Sequence, residues 1–150
     1  MQYKKITTED AAFLTDIFSI PEYDMYFAEN ETTEEGWRNR ITACFQSLQS
    51  FIILDEGKKV GWIMYEINGH TCMIDIIVLH PNERFKGYGK AIISDILKSN
   101  PQVKEIKLDV QKRNKSAMAF YSKLGFAVDG EEMQPVGDAE QPYYKLLLHL

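Results

Sequence analysis

Residues 84–91 read Arg-Phe-Lys-Gly-Tyr-Gly-Lys-Ala, and their flanks limit the folds open to the chain. Residues 73–79, Met-Ile-Asp-Ile-Ile-Val-Leu, are rich in β-branched side chains and predict a strand. After the glycines, Ile92, Ile93, Ile96 and Leu97 fall on one face of a helix running from Gly87 to about Ser99. The order is therefore strand, glycine-bearing turn, helix. Such a turn aims the free N–H groups of a helix's first turn, and the positive end of its dipole, at one spot. Phosphate binds at such spots. Gly87 and Gly89 have no Cβ to keep an anion from the backbone, and Arg84, Lys86 and Lys90 add positive charge. Two other phosphate loops do not fit. Ile92 occupies the third glycine position of Gly-x-Gly-x-x-Gly, and no second glycine precedes a Lys-Ser/Thr pair.

At 150 residues and 45% apolar, the chain predicts one domain, 1–150, with a sizeable core. No apolar run is long enough to span a bilayer, and the first residues, Met-Gln-Tyr-Lys-Lys-Ile-Thr, lack a secretory leader's apolar stretch. Cys44 and Cys72 have no metal-ligand spacing and read as small buried residues of a cytoplasmic protein. The net charge of −5 argues against nucleic acid as a partner.

Residues 3–6 predict a short strand, and Thr7 or Thr8 caps a helix through Phe18 that buries Ala12, Phe13, Ile17 and Phe18. Residues 22–30 are acidic and aromatic without a period. The capping-box pattern Thr32-x-x-Glu35 opens a helix over 33–47, with Trp37, Ile41, Cys44, Phe45 and Leu48 inward. Strands follow at 50–55 and 60–67, and Asn68-Gly69 turns the chain into the strand ending at Leu79. Residues 104–110 alternate as a strand does, and a helix from Asn114 or Ser116 runs to Leu124, stopped by Gly125. Residues 126–128 are extended, 129–141 read as a loop, and 143–150 as a closing strand. The order β-α-α-β-β-β-α-β-α-β-β describes an α/β (α+β) fold, a mixed and mostly antiparallel sheet flanked by helices.

A second segment is Asn114-x-x-Ala117-x-x-x-Tyr121-x-Lys123-x-Gly125-Phe126. Together with Arg84-x-x-Gly87-x-Gly89 it resembles the GCN5-related N-acetyltransferases, the GNAT family, over about residues 73–126. Its C-terminal half looks like the subgroup acetylating protein N-termini, such as the ribosomal-protein alanine acetyltransferases. Phe85 departs from the pattern, since glycine is frequent there, so its side chain must turn away from the cofactor.

The resemblance implies an enzyme that transfers acetyl from acetyl-CoA to an amine in a ternary complex, without a metal. The pyrophosphate would lie on the N–H groups of Phe85, Lys86, Gly87, Tyr88, Gly89 and Lys90, beside Arg84. The pantetheine arm would run along the strand ending at Val78 and Leu79, with the oxyanion donor near Val78 and Asn114 near the arm or the acyl end. Tyr121 matches the family's acid for the departing sulfur. A lysine-type amine, with a pKa of about 10.4, must lose a proton before it attacks. Asp109 and Asp75 are the two base candidates, and His80 could join a water chain. The acceptor is a small amine or a protein N-terminus. A cationic acceptor would suit Glu22, Asp24, Glu29, Glu31 and Glu34, interleaved with Tyr23, Tyr26 and Phe27. A monomer or homodimer is expected. The competing readings are a non-catalytic acyl-CoA-binding module and a structural scaffold.

Overall fold

The structure, a computed structural model, describes residues 1–23 and 32–150. Seven strands form one sheet: β1 (Gln2–Lys5), β2 (Gln49–Asp55), β3 (Lys58–Asn68), β4 (Thr71–Leu79), β5 (Glu105–Gln111), β6 (Ala127–Val136) and β7 (Ala139–His149). Their spatial order is β1-β2-β3-β4-β5-β7-β6. Every neighbouring pair is antiparallel except β4 and β5. Among the described residues four α-helices accompany it: α1 (Ala11–Ile17), α2 (Glu34–Ala43), α3 (Tyr88–Ser99) and α4 (Lys115–Lys123). The mixed, mostly antiparallel sheet flanked by helices is the expected fold class.

Strand alternation divides the core between the two faces of the sheet. Ile53 and Ile63 join Ile92, Ile93, Ile96 and Tyr121 on the α3/α4 face. Their neighbours Ile52 and Trp62 join Leu14, Ile17, Trp37 and Ile41 on the α1/α2 face. Trp37 is fully buried, as expected of a core tryptophan.

Several expectations need correction. Residues 8–10 form a 3₁₀ turn before α1, which changes the phase of the helix. Ala11 and Leu14 are buried and Ala12 is exposed. The cap of α2 is Thr33, whose hydroxyl accepts the Gly36 N–H at 3.0 Å, rather than Thr32. That helix stops at Ala43, so Cys44 leaves it with φ −141° and is exposed, while Cys72 is buried as expected. The expected loop over 129–141 is instead a long β6–β7 hairpin turning at Gly137, where φ is 62°. As the outermost strand β6 is largely exposed on both faces and carries no polar/apolar alternation, and its Pro135 is tolerated at an edge.

Candidate active site

The site begins with one extra residue. In the β3–β4 ladder Met64 faces Ile76 and Tyr65 faces Ile74, so Asp75 has no partner and forms a β-bulge. A bulge bends its strand and interrupts pairing. On the other side of β4, parallel pairing with β5 runs from Thr71↔Glu105 to Ile74↔Leu108 and ends at the same point. Beyond it, residues 75–79 and 109–111 diverge. A cleft of about 350 Å³ opens between them, lined by Asp75, Ile77, Asp109, Asn114, Tyr121 and Tyr143 among others.

The splay exposes backbone groups of β4. The His80 N–H donates to the Val60 carbonyl at 2.8 Å, and Trp62 faces Val78 in register. Hydrogen-bonded pairs alternate along an antiparallel ladder, so Val78 also turns its N–H toward β3. Ile77 and Leu79 therefore point their N–H groups to the open side. The Leu79 carbonyl, which points the same way, accepts the Tyr23 hydroxyl at 2.7 Å. The open-side N–H groups nearest Val78 are thus those of Ile77 and Leu79.

The cleft runs through the sheet, and its two sides differ in chemistry. On the α3/α4 side stands Tyr121, buried, with its ring edge-on to Phe120 and Phe126 at centroid distances of 5.1 and 5.3 Å. Asn114 caps α4 there, its side-chain oxygen accepting the Ala117 N–H at 3.2 Å. On the opposite side stand the two base candidates. Asp75 is exposed at the cleft mouth, yet partial desolvation there, then the negative charges of Glu66 and Asp109, push its carboxyl up to about 6. The Gln134 amide donates to Asp109 at 2.8 Å. Close by, Glu132 pairs with Lys145 at 3.0 Å; this holds the Glu132 carboxyl low and raises the lysine.

The loop before α3 departs from expectation in one respect. Gly87 has φ 86° and nothing within 4 Å of where a Cβ would point, so it leaves space open to a ligand. A Cβ on Gly89 would lie 2.8 Å from Cζ of Phe120. Gly89 thus lets α3 and α4 pack closely, and does not clear a path for an anion. Phe85 takes φ 61°, the conformation that suits the glycine often found there, and its ring is 86% exposed. The first-turn N–H groups of α3, from Tyr88, Gly89 and Lys90, have no intrahelical acceptor. Tyr88 is anchored by its hydroxyl to Asp55 at 2.7 Å, which pushes the phenol up to about 12. Lys86 is drawn to the buried Glu83 at 3.0 Å, which also pairs with Lys58. The Arg84 guanidinium donates to Glu22 at 2.7 Å and lies over the rings of Tyr23 and Phe85.

The geometry thus gathers Asp75, Asp109, Asn114 and Tyr121 at one cleft and leaves residues 84–90 at the start of α3. It does not bring His80 there. Its Nδ1 accepts the Asn82 N–H at 3.2 Å, its Nε2 meets Asp16 at 2.7 Å, and its ring stacks on Phe13. Sequence reasoning missed Gln134 by reading 129–141 as a loop. Gly137-Asp138, a turn pair at the centre of that stretch, was the available signal. Of the acidic and aromatic set, Asp24, Tyr26, Phe27, Glu29 and Glu31 lie outside the described residues. Among the described residues no cluster of His, Cys, Asp and Glu could hold a metal ion, and no helix is long and apolar enough to cross a membrane.

A family model described as the acetyltransferase (GNAT) family matches residues 11–126. The chain belongs to this family. The GNAT fold extends over almost the whole chain. A GNAT-family acetyltransferase from Bacillus anthracis superposes with a TM-score of 0.77 at 22% identity, covering 98% of this chain and 93% of that one. The spermidine N-acetyltransferase of Vibrio cholerae, solved with CoA and spermine, gives 0.74 at 17% identity over 99% and 94%. The PaiA N-acetyltransferase of Thermoplasma acidophilum, solved with coenzyme A, gives 0.67 at 18% identity over 99% and 98%. At these identities the likeness is one of fold. In sequence, the UPF0157 protein YqkA of Bacillus subtilis (strain 168) is 33% identical over 70 residues. That match covers 47% of this chain and spans 20% of the relative's length.

Proposed function

We propose that the chain transfers an acetyl group from acetyl-CoA directly to a primary amine, both bound at once. The observation that carries this reading is the cleft through the sheet, with a phenol on one side and carboxylates on the other. The residues suit the cofactor. Gly87 leaves room beside the first-turn N–H groups of α3 for a pyrophosphate, and the open edge of β4 suits an amide-bearing arm. The bound thioester supplies the activated acyl carbon. The amine nitrogen bonds to that carbon, the C–S bond breaks, one amine proton leaves to a base, and the sulfur takes a proton. Asp75 is the base: a carboxyl near 6 is mostly ionised at neutral pH yet basic enough to take a proton. Asp109, held by Gln134, orients the amine. The N–H group of Ile77, the open-side donor nearest the bulge, receives the charge that develops on the thioester oxygen. Tyr121, on the cofactor side, protonates the sulfur. Glu66, Asp75, Asp109 and Glu132 favour a cationic amine, and the spermine-bound neighbour of the same fold is consistent with this.

The test is release of CoA thiol from acetyl-CoA over a panel of amines. Turnover is expected with cationic acceptors and should exceed that with acidic ones. Tyr121→Phe should retain acetyl-CoA affinity and lose about 10²-fold in rate. Binding of acetyl-CoA without turnover on any amine would instead identify a binding module.

A further inference from the structure

Tyr23 belongs to the 3₁₀ turn Pro21–Tyr23, and sequence reasoning grouped it with an acceptor site. Two of its contacts with the described residues concern β4 and the loop before α3. Its hydroxyl donates to the Leu79 carbonyl at 2.7 Å, on the edge of β4 that the splay leaves open. Its ring faces the Arg84 guanidinium at 5.6 Å. One side chain therefore touches both the last residue of β4 and the first residue of the phosphate loop. It is held firmly, being 7% exposed and packed edge-on against Phe18 with a centroid distance of 5.9 Å. Its neighbour Glu22 is exposed and paired with Arg84.

We infer that Tyr23 is a positioning residue for the arm of the cofactor. The inference rests on the reading that acetyl-CoA lies along β4. Beyond Asp75 β4 is held along its β3 edge and not by β5, and a tilt at Leu79 would turn its N–H out of line with the cleft. The Tyr23 hydroxyl fixes the Leu79 carbonyl, and with it the plane of the open edge. It also ends the track. With that carbonyl occupied, the remaining groups that β4 turns to this edge beyond the bulge, among the described residues, are the N–H and carbonyl of Ile77 and the N–H of Leu79. The arm pairs at the Ile77 carbonyl and the Leu79 N–H, leaving the Ile77 N–H to the thioester, and must leave the strand before His80, toward the N–H groups of α3.

Tyr23→Phe keeps the ring, its packing and its contact with Arg84, and removes only the hydroxyl. Calorimetry should show CoA binding weakened about five- to tenfold, the usual worth of one net hydrogen bond. Adenosine 3′,5′-bisphosphate, which has no pantetheine arm, should bind as it does to the unaltered chain. In turnover the KM for acetyl-CoA should rise while kcat changes by less than about twofold. Three results would overturn the inference once the folded fraction is fixed by melting. They are unchanged CoA affinity, equal weakening of both ligands, and tighter CoA binding, which would make the hydroxyl a competitor for the carbonyl. The calorimetry does not depend on catalysis. A chain that binds CoA but transfers nothing would refute the acetyl-transfer reading and still decide the role of Tyr23.

Discussion

The seam between β4 and β5 has two halves that differ in almost every respect. From Thr71 to Ile74 on one strand and from Glu105 to Leu108 on the other, the backbones pair and Cys72, Ile74, Ile106 and Leu108 are buried between them and the helices. A residue later the pairing stops, and the walls carry Asp75, Asp109 and Tyr121. Composition does not separate the halves, since Ile76, Ile77 and Val78 are as β-prone as the residues below them. The difference is Asp75, one residue more on β4 than β3 can pair. A site can thus be opened in a sheet by an insertion, with no loss of hydrophobic material on either side.

The strongest way to break this comparison is to delete Asp75. Ile74 and Ile76 already pair with adjacent residues of β3 and face opposite sides of the sheet, so the deletion restores regular alternation without turning any core residue outward. The variant should fold, extend the β4–β5 ladder and lose more than about 10²-fold in turnover together with CoA affinity. Retained turnover would mean that the splay has another cause.

Asp75→Asn keeps the bulge and removes the charge. The carboxyl lies near 6 in the folded chain, above the ~3.9 of an unfolded one, so the native state holds its proton more tightly. Native stability therefore falls as pH rises from about 4 to about 6. The Asn variant should lack that fall and melt higher than the parent at pH 7. Its rate should drop by about tenfold or more, and the acid limb of the parent's pH–rate profile near 6 should vanish. A limb that survives in the variant would move the base to Asp109.

The smallest effect belongs to the sealed half. Ile106→Val removes one methylene at a fully buried position and should cost about 1 kcal/mol in a denaturant melt. Turnover per folded molecule should not change, whereas a change would show that the two halves are mechanically coupled.

Much of this was legible in the sequence. The element order, the Asn68-Gly69 hairpin, the turn into α3 and the Asn114 cap all rest on local chemistry that acts over a few residues. Asp75, Asp109 and Tyr121 could be named as candidates from their motifs. What could not be read was set by distant partners. The bulge exists only relative to the register of β3, and the direction of the Val78 N–H follows from that register. Gln134 reaches Asp109 only because β7 lies between β5 and β6. Ala12 and Cys44 fail for a different reason. Each lies within a residue or two of a helix end, where a short 3₁₀ turn rotates the buried face.

Gly89 has a wider consequence. The ring of Phe120 occupies the space a side chain there would need, so the sizes of residues 89 and 120 are not independent. A chain of this kind that carries alanine at the second glycine should carry something smaller than phenylalanine opposite it, and the glycine exchange should be better tolerated with the second exchange than alone. Half of an apparent ligand signature is then a record of helix spacing, and variation at that glycine reports on its neighbour across the groove before it reports on any bound molecule.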